Sequence, residues 1–180
     1  MDQLAAHRRA QDVFAGVLAN VKPEQLGVRS PCTEWDAKAV IDHVIGGNQW
    51  VVSLAGGHSS ALPDDFRAAH AESAADAQAV FAAPDGLTRM FELPFATLPG
   101  AAFIGLRTSD VFTHAWDLAK ATGQPTDIDP ELAAEALKAA QERISPAFRG
   151  PGRPFGEQQP CPDGRSKADE LAAFLGRIVE

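Results

Sequence analysis

The sequence predicts a mainly all-α protein built around a bundle of helices. Three observations point to this class. Apolar residues recur at 3.6-residue spacing in successive segments, Pro and Gly stand where helices would end, and residues with side-chain oxygens stand where helices would begin. With 180 residues, the chain is expected to form one domain over residues 1–180.

Six segments are predicted to be helical, and each has a local reason for its bounds. The first ends before Pro23, which cannot continue a helix interior. The second begins after Asp36, and the third after Asp64 or Asp65, because carboxylates cap helix N-termini. The last opens at Ser166 with an acidic residue three positions on, a capping-box pattern. The predicted ranges are 2–21, 36–54, 66–83, 101–122, 130–144 and 166–178.

Two glycines, Gly46 and Gly47, lie inside the second predicted helix. Each costs about 1 kcal/mol relative to Ala in a helix interior. We expect them to allow another backbone to approach closely beside His43.

Two other stretches depart from the helical pattern. Around residues 88–97, the partly alternating run Met90–Phe95 indicates a short extended segment, while Pro94 and Pro99 argue against a sheet. Residues 145–165 are rich in Pro and Gly, and a loop of that length in a compact domain is usually functional. We expect this loop to cover a site.

Composition and charge exclude some classes of function. The net charge of −8 disfavours nucleic-acid partners, because binding phosphates requires clustered Lys and Arg. The N-terminal ten residues are polar and amphipathic, so neither a secretory signal nor a membrane span is expected, and the cytoplasm is the expected location.

The chain contains two cysteines, Cys32 and Cys161, which are too few for a disulfide framework and are expected to be reduced. Cys32 belongs to the loop Ser30–Trp35, just before the second helix. There it could approach a bound ligand, or it could simply be a small buried apolar side chain.

A metal site is the most specific chemistry that the spacing offers. Asp110 and His114 are four residues apart in a predicted helix, so both side chains leave the same face. His43 lies in line with the apolar stripe of the second helix, so its side chain should point inward. Two imidazoles and a carboxylate from two packed helices would form a three-ligand site with an open position. The stripe residues are Val40, Val44, Gly47, Val51 and Leu54.

Other interpretations of the same residues remain open at the level of spacing. A lone histidine on an apolar face is more often a hydrogen-bonded core residue than a metal ligand. Asp110 and His114 could also form an ordinary pair in water. In that case a different face of the helix would be buried, formed by Phe112, Ala115, Trp116 and Ala119.

Three ordered segments resemble a known family over nearly the whole chain. Ser30–Asp36 with Asp42–Asn48 is similar to the first signature of the DinB/YfiT-like superfamily, in the branch related to the N-terminal metal-binding domain of mycothiol-dependent maleylpyruvate isomerase. Asp110–Gln124 resembles the second signature of that branch. The ending from Arg149 to Arg177 is similar to its small stand-alone members.

The resemblance implies a DinB-like four-helix bundle with extra C-terminal helices and a divalent metal held by His43, Asp110 and His114. Asp110 stands where the isomerase-like pattern has Glu and many relatives have His, so its shorter reach could shift the metal or admit a water. Asp117 is expected to orient an imidazole or to accept a hydrogen bond from an active-site water. The other pocket candidates are Cys32, Trp35, Asn48, Arg149 and Arg153.

The resemblance further implies chemistry that depends on a metal and a thiol. Because the isomerase has an additional C-terminal domain, we do not expect maleylpyruvate isomerisation itself. The first expectation is a transferase or isomerase-like enzyme that uses a low-molecular-weight thiol, mycothiol, on an unknown small electrophile. The alternatives are a non-enzymatic metal- or ligand-binding bundle and a metal-dependent hydrolase without thiol.

Two imidazoles and one carboxylate suit zinc, nickel or ferrous iron, and zinc is the first expectation. Nickel and ferrous iron stay as alternatives because affinity alone does not select among the three metals. The expected partners are a small-molecule substrate and the thiol, and a homodimer is a further option. Arg149 and Arg153 would contact an anionic substrate or would be solvated loop charges.

Overall fold

Six helices and one short hairpin make up the structure, a computed structural model that describes residues 1–32, 35–59, 61–150 and 155–180. Single 3₁₀ turns occur at Pro23–Gln25 and Pro146–Phe148. The mainly helical class predicted from the sequence is confirmed. The helices are α1 Gln3–Ala19, α2 Ala37–Leu54, α3 Phe66–Ala82, α4 Gly100–Ala121, α5 Pro130–Arg143 and α6 Lys167–Phe174; the strands are β1 Met90–Leu93 and β2 Ala96–Pro99.

The first four helices form a bundle in which α1 and α2 each pack against both α3 and α4. Helices α5 and α6 pack on each other, and α6 also contacts α4. The indole Nε1 of Trp116 on α4 donates a 2.8 Å hydrogen bond to Asp169 on α6, which joins the C-terminal helices to the bundle. Helix α4 is therefore contacted by neighbours on nearly all sides.

The predicted caps position the helix starts. The Asp36 carboxylate accepts a 2.8 Å hydrogen bond from the Ala39 amide at the start of α2, and Asp65, rather than Asp64, caps α3. Ser166 accepts from the Asp169 amide at the start of α6. Each cap satisfies an amide that the first turn of a helix leaves without a partner.

The last helix is shorter than the pattern predicts. Helix α6 ends at Phe174, and Gly176 follows with φ of 98°, a left-handed conformation that ends a helix. Ile178 is 69% exposed. The prediction that this helix continues through residue 178 is therefore wrong.

The extended segment forms a two-stranded antiparallel hairpin, although the prolines argued against a sheet. Leu93 pairs with Ala96 across a turn that contains Pro94 and Phe95, and Met90 pairs with Pro99. Both prolines avoid the interior of the ladder, where a missing N–H would cost a hydrogen bond. Phe91 and Leu93 are buried against one end of the bundle.

A buried polar network lies among α1, α2 and α3. The amide nitrogen of Gln11 donates to the Asn48 side chain at 2.8 Å, and its oxygen accepts from His70 Nε2 at 3.0 Å. His7 Nδ1 donates to the Gln78 side chain at 2.7 Å. Burial lowers the pKa of both His7 and His70 to about 4, so the two rings are neutral near pH 7.

Among the described residues, no helix has both the length and the apolar character needed to cross a membrane.

Candidate metal centre

The three predicted ligand side chains meet where α2 packs against α4. His43 Nε2 lies 3.3 and 3.2 Å from the two carboxylate oxygens of Asp110. His114 Nε2 lies 3.5 Å from Asp110 Oδ1. One ligand atom from each residue falls within 4.8 Å of the other two. The structure thus brings together at one point residues that are 67 positions apart in sequence.

The spacing of these atoms fits a divalent ion. Bonds of about 2.0–2.1 Å to a tetrahedral zinc place neighbouring ligand atoms roughly 3.3 Å apart. The nitrogen–oxygen separations of 3.2 to 3.5 Å match that value, so the short Asp110 side chain reaches both imidazoles. Two imidazoles and one carboxylate also suit nickel and ferrous iron.

The packing of α4 explains why two opposite faces of this helix both carry buried residues. His114 is only 6% exposed, whereas the Asp110 side chain is 31% exposed and the His43 side chain 35%. Because α4 has neighbours on several sides, burying its apolar face does not leave His114 in water. The apolar face consists of Phe112, Ala115, Trp116 and Ala119, all at most 1% exposed.

Asp117 is bonded to the far side of the His114 ring. His114 Nδ1 lies 2.9 Å from the Asp117 carboxylate, so the proton sits on that nitrogen and Nε2 turns toward Asp110. Arg177 holds Asp117 from the other side through hydrogen bonds of 2.9 and 3.1 Å. A carboxylate on the far nitrogen fixes the tautomer and raises the basicity of a ligating histidine.

Arg107 binds the second oxygen of Asp110. Its Nη1 donates to Asp110 Oδ2 at 2.7 Å, and its side chain is 6% exposed. The guanidinium packs on the bare α-carbon of Gly47, where an added Cβ would lie 2.4 Å from Nη2. Gly47 therefore accommodates a side chain rather than the backbone that we expected, and Gly46 has open space around it.

The clustered charges shift the pKa values of the site. Burial alone would lower the pKa of His114, but the Asp110 and Asp117 carboxylates outweigh it and raise this pKa to about 9. Burial raises the pKa of Asp110, yet His114, His43 and Arg107 together hold it well below its usual range. Without a metal, Asp110 is thus a carboxylate facing an imidazolium.

These residues lie at one wall of an open cleft of about 1150 Å³. Of the candidate pocket residues, Cys32 and Trp35 line it. The Trp35 ring centroid is 4.7 Å from that of His43 and 5.5 Å from that of His114. Burial, followed by the charge of Asp117, raises the pKa of the half-buried Cys32 thiol. Cys32 is therefore a thiol at neutral pH rather than a strong nucleophile.

Three candidate pocket residues are not found on the described cleft wall. Asn48 is fully buried among α1, α2 and α3, where its side chain bonds to Gln11. Arg149 donates to the backbone oxygen of Phe174 at 2.7 Å and packs over that residue's ring, so it anchors the loop to α6. Arg153 lies outside the described residues.

Sequence reasoning missed three arginines that line the cleft: Arg107, Arg143 and Arg177. The spacing of Arg107, three residues before Asp110 on a predicted helix, was a usable signal for an ion pair. Arg143 and Arg177 reach the cleft only through the packing of the C-terminal region on the bundle, which no local pattern encodes.

Comparison with known proteins identifies the family of the chain. Residues 7–119 match the family described as mycothiol maleylpyruvate isomerase N-terminal domain, and the chain belongs to that family. Two similar proteins come from Mycobacterium tuberculosis, named "Uncharacterized protein MT0763" (strain CDC 1551 / Oshkosh) and "Uncharacterized protein Rv0738" (strain ATCC 25618). Each is 56% identical over 181 residues, covering 99% of this chain and 100% of the relative. No solved structure matches.

Proposed function

We propose that the protein is a metal-dependent enzyme that transfers a low-molecular-weight thiol, mycothiol, to a small electrophile. The observation that carries the proposal is the cluster of His43, Asp110 and His114 at the wall of a cleft of about 1150 Å³. Membership of a family named after a mycothiol-dependent isomerase supports the choice of thiol. A closed structural metal site would not need such a cleft.

A divalent ion bound by these three residues would stabilise a thiolate at neutral pH. The chain's own residues prepare the site for it. Asp117 holds the Nδ1 proton of His114, so the proton that a bound ion would displace is the one on Nε2. Arg107 occupies Asp110 Oδ2, which leaves Oδ1 nearest His114.

Trp35 has a shielding role in this proposal. Its ring packs beside both imidazoles, so one side of the site is covered by an apolar surface. Excluding water strengthens the electrostatic interactions inside a site. Thiol and electrophile would enter through the cleft, whose wall includes Trp35.

The test begins with metal content of protein purified without an affinity tag. We expect about one divalent ion per chain in the wild type and in His58→Ala, an exposed histidine that serves as the matched control. His43→Ala should lose most of the ion. Equal metal content in all three proteins would overturn the metal assignment.

Calorimetry with mycothiol then tests the use of thiol. Saturable binding to metal-loaded protein that disappears with a chelator supports the transferase. Metal-dependent hydrolysis of model esters without any effect of thiol would instead support the hydrolase. Metal binding with neither thiol binding nor hydrolysis would support the remaining alternative, a non-enzymatic metal- or ligand-binding bundle.

A further inference from the structure

Arg143 is a cleft arginine whose guanidinium has no ion-pair partner among the described residues. Arg107 is paired with Asp110 and Arg177 with Asp117. Arg143, in the last turn of α5, also lines the cleft and is exposed, and its side chain forms no ion pair or hydrogen bond with any residue in the described ranges. Its guanidinium therefore offers a full set of donors to a ligand.

The Arg143 side chain is folded over the cleft wall. A Cβ added to Gly105 of α4 would lie 3.1 Å from its Nη1 and 3.9 Å from Cζ and Nη2. The absence of a side chain at Gly105 thus lets the guanidinium rest against the helix that carries the candidate ligands. Gly105 precedes Asp110 by five residues, which is roughly 7.5 Å along a helix axis.

The surface of the cleft that Arg143 and the ligand cluster share is mainly apolar. Leu106, one residue beyond Gly105, is 37% exposed, and Phe95 at the tip of the hairpin is 72% exposed. Both line the cleft, as does Trp50 of α2. Large apolar side chains left exposed in a concave surface are typical of ligand sites.

We propose that Arg143 is the anion-binding residue of the cleft and that the substrate is an amphiphilic carboxylate. Its carboxylate binds Arg143, its ring-sized apolar body lies against Leu106, Phe95 and Trp50, and its reactive end points toward Asp110. The position of the reactive end rests on the proposed function; the anion site does not.

The charge balance of the protein makes this assignment specific. With a net charge of −8, the overall field repels anions, so binding a carboxylate requires a cation at the site itself. A guanidinium fork suits this task because it binds both carboxylate oxygens at once. A neutral apolar molecule would gain nothing from Arg143.

The test uses 2-naphthoate as the probe and 2-naphthamide as its neutral counterpart, with calorimetry on the full chain in the presence of a chelator. Without metal, the probe's carboxylate cannot bind an ion at His43 and His114, so this arm is independent of the proposed function. We expect wild-type protein to bind naphthoate at least five times more tightly than the amide, less so at high salt.

Two variants complete the test. Arg143→Gln should weaken naphthoate binding about tenfold and change amide binding much less, because only the carboxylate loses an ion pair. Lys138→Gln removes the same charge from the exposed face of the same helix and should bind as the wild type does. Equal affinity for acid and amide, or an unchanged affinity in Arg143→Gln, would overturn the proposal even if metal and thiol bind as proposed.

Discussion

Acidification should destabilise the protein through the two histidines buried among α1, α2 and α3. Burial lowers the pKa of His7 and of His70 from 6.5 to about 4. In the unfolded chain each ring is protonated below about pH 6.5, whereas in the folded chain each stays neutral down to about pH 4. Stability therefore falls as the pH falls from 6.5 toward 4.

The magnitude follows from the size of the shift. Between pH 7 and pH 5, each histidine removes about 2 kcal/mol from the free energy of unfolding, so the pair removes about 4 kcal/mol. That is a large part of the 5–15 kcal/mol, roughly, that holds a typical domain folded. His114, with its pKa raised to about 9, acts in the opposite direction and partly offsets the loss.

Urea unfolding of metal-free protein at pH 7 and pH 5 measures the effect. The double variant His7→Gln/His70→Gln still contains His114, so the difference in pH dependence between it and the wild type isolates the buried pair. We expect this difference to be about 4 kcal/mol, and His58→Gln to behave as the wild type does. The same pH dependence in the double variant would refute the reasoning.

Three further predictions concern the candidate metal centre. Metal affinity of the wild type should rise as the pH is raised toward 9, because the proton on His114, whose pKa is about 9, competes with the ion. Isothermal titration calorimetry across this pH range would measure the rise. An affinity independent of pH would contradict the prediction. His114→Ala should lose most bound metal yet keep a helical circular-dichroism spectrum, because the apolar core does not include this side chain; an unfolded variant would show that the ring is structurally essential. The free energy of unfolding, measured with urea, should be about 1–3 kcal/mol lower for Gly47→Ala than for Gly46→Ala, because only the first substitution displaces Arg107. Equal free energies would mean that the guanidinium moves freely.

Local pattern was sufficient to predict the helices and the pair on α4. Asp36 and Ser166 were recognised as caps because capping depends on only a few neighbouring residues. Asp110 and His114 share a face because four residues make about one turn. The meeting of His43 with this pair needed more than spacing, since nothing local says which helices pack together; the resemblance to a known family supplied it.

Long-range packing explains what the sequence did not reveal. Asn48 lies on the same helix as His43, but its buried side chain bonds to Gln11 of α1, a partner that is 37 positions away in the sequence. Arg149 belonged to a loop expected to face a substrate, yet it bonds to the backbone of Phe174. In both cases the side chain bonds to a group on a distant element, a partner that only the assembled fold supplies.

The position of Trp35 gives the protein an intrinsic optical signal. Its indole lies within ring-contact distance of both His43 and His114, at centroid separations of 4.7 and 5.5 Å. A protonated imidazole quenches indole emission more strongly than a neutral one does, so the fluorescence quantum yield of Trp35 reflects the protonation of the His114 ring, whose pKa is raised to about 9. The other two tryptophans, Trp50 in the wall of the cleft and the buried Trp116 bonded to Asp169, add their own emission to the signal, so the contribution of Trp35 is obtained by comparison with a Trp35→Phe variant.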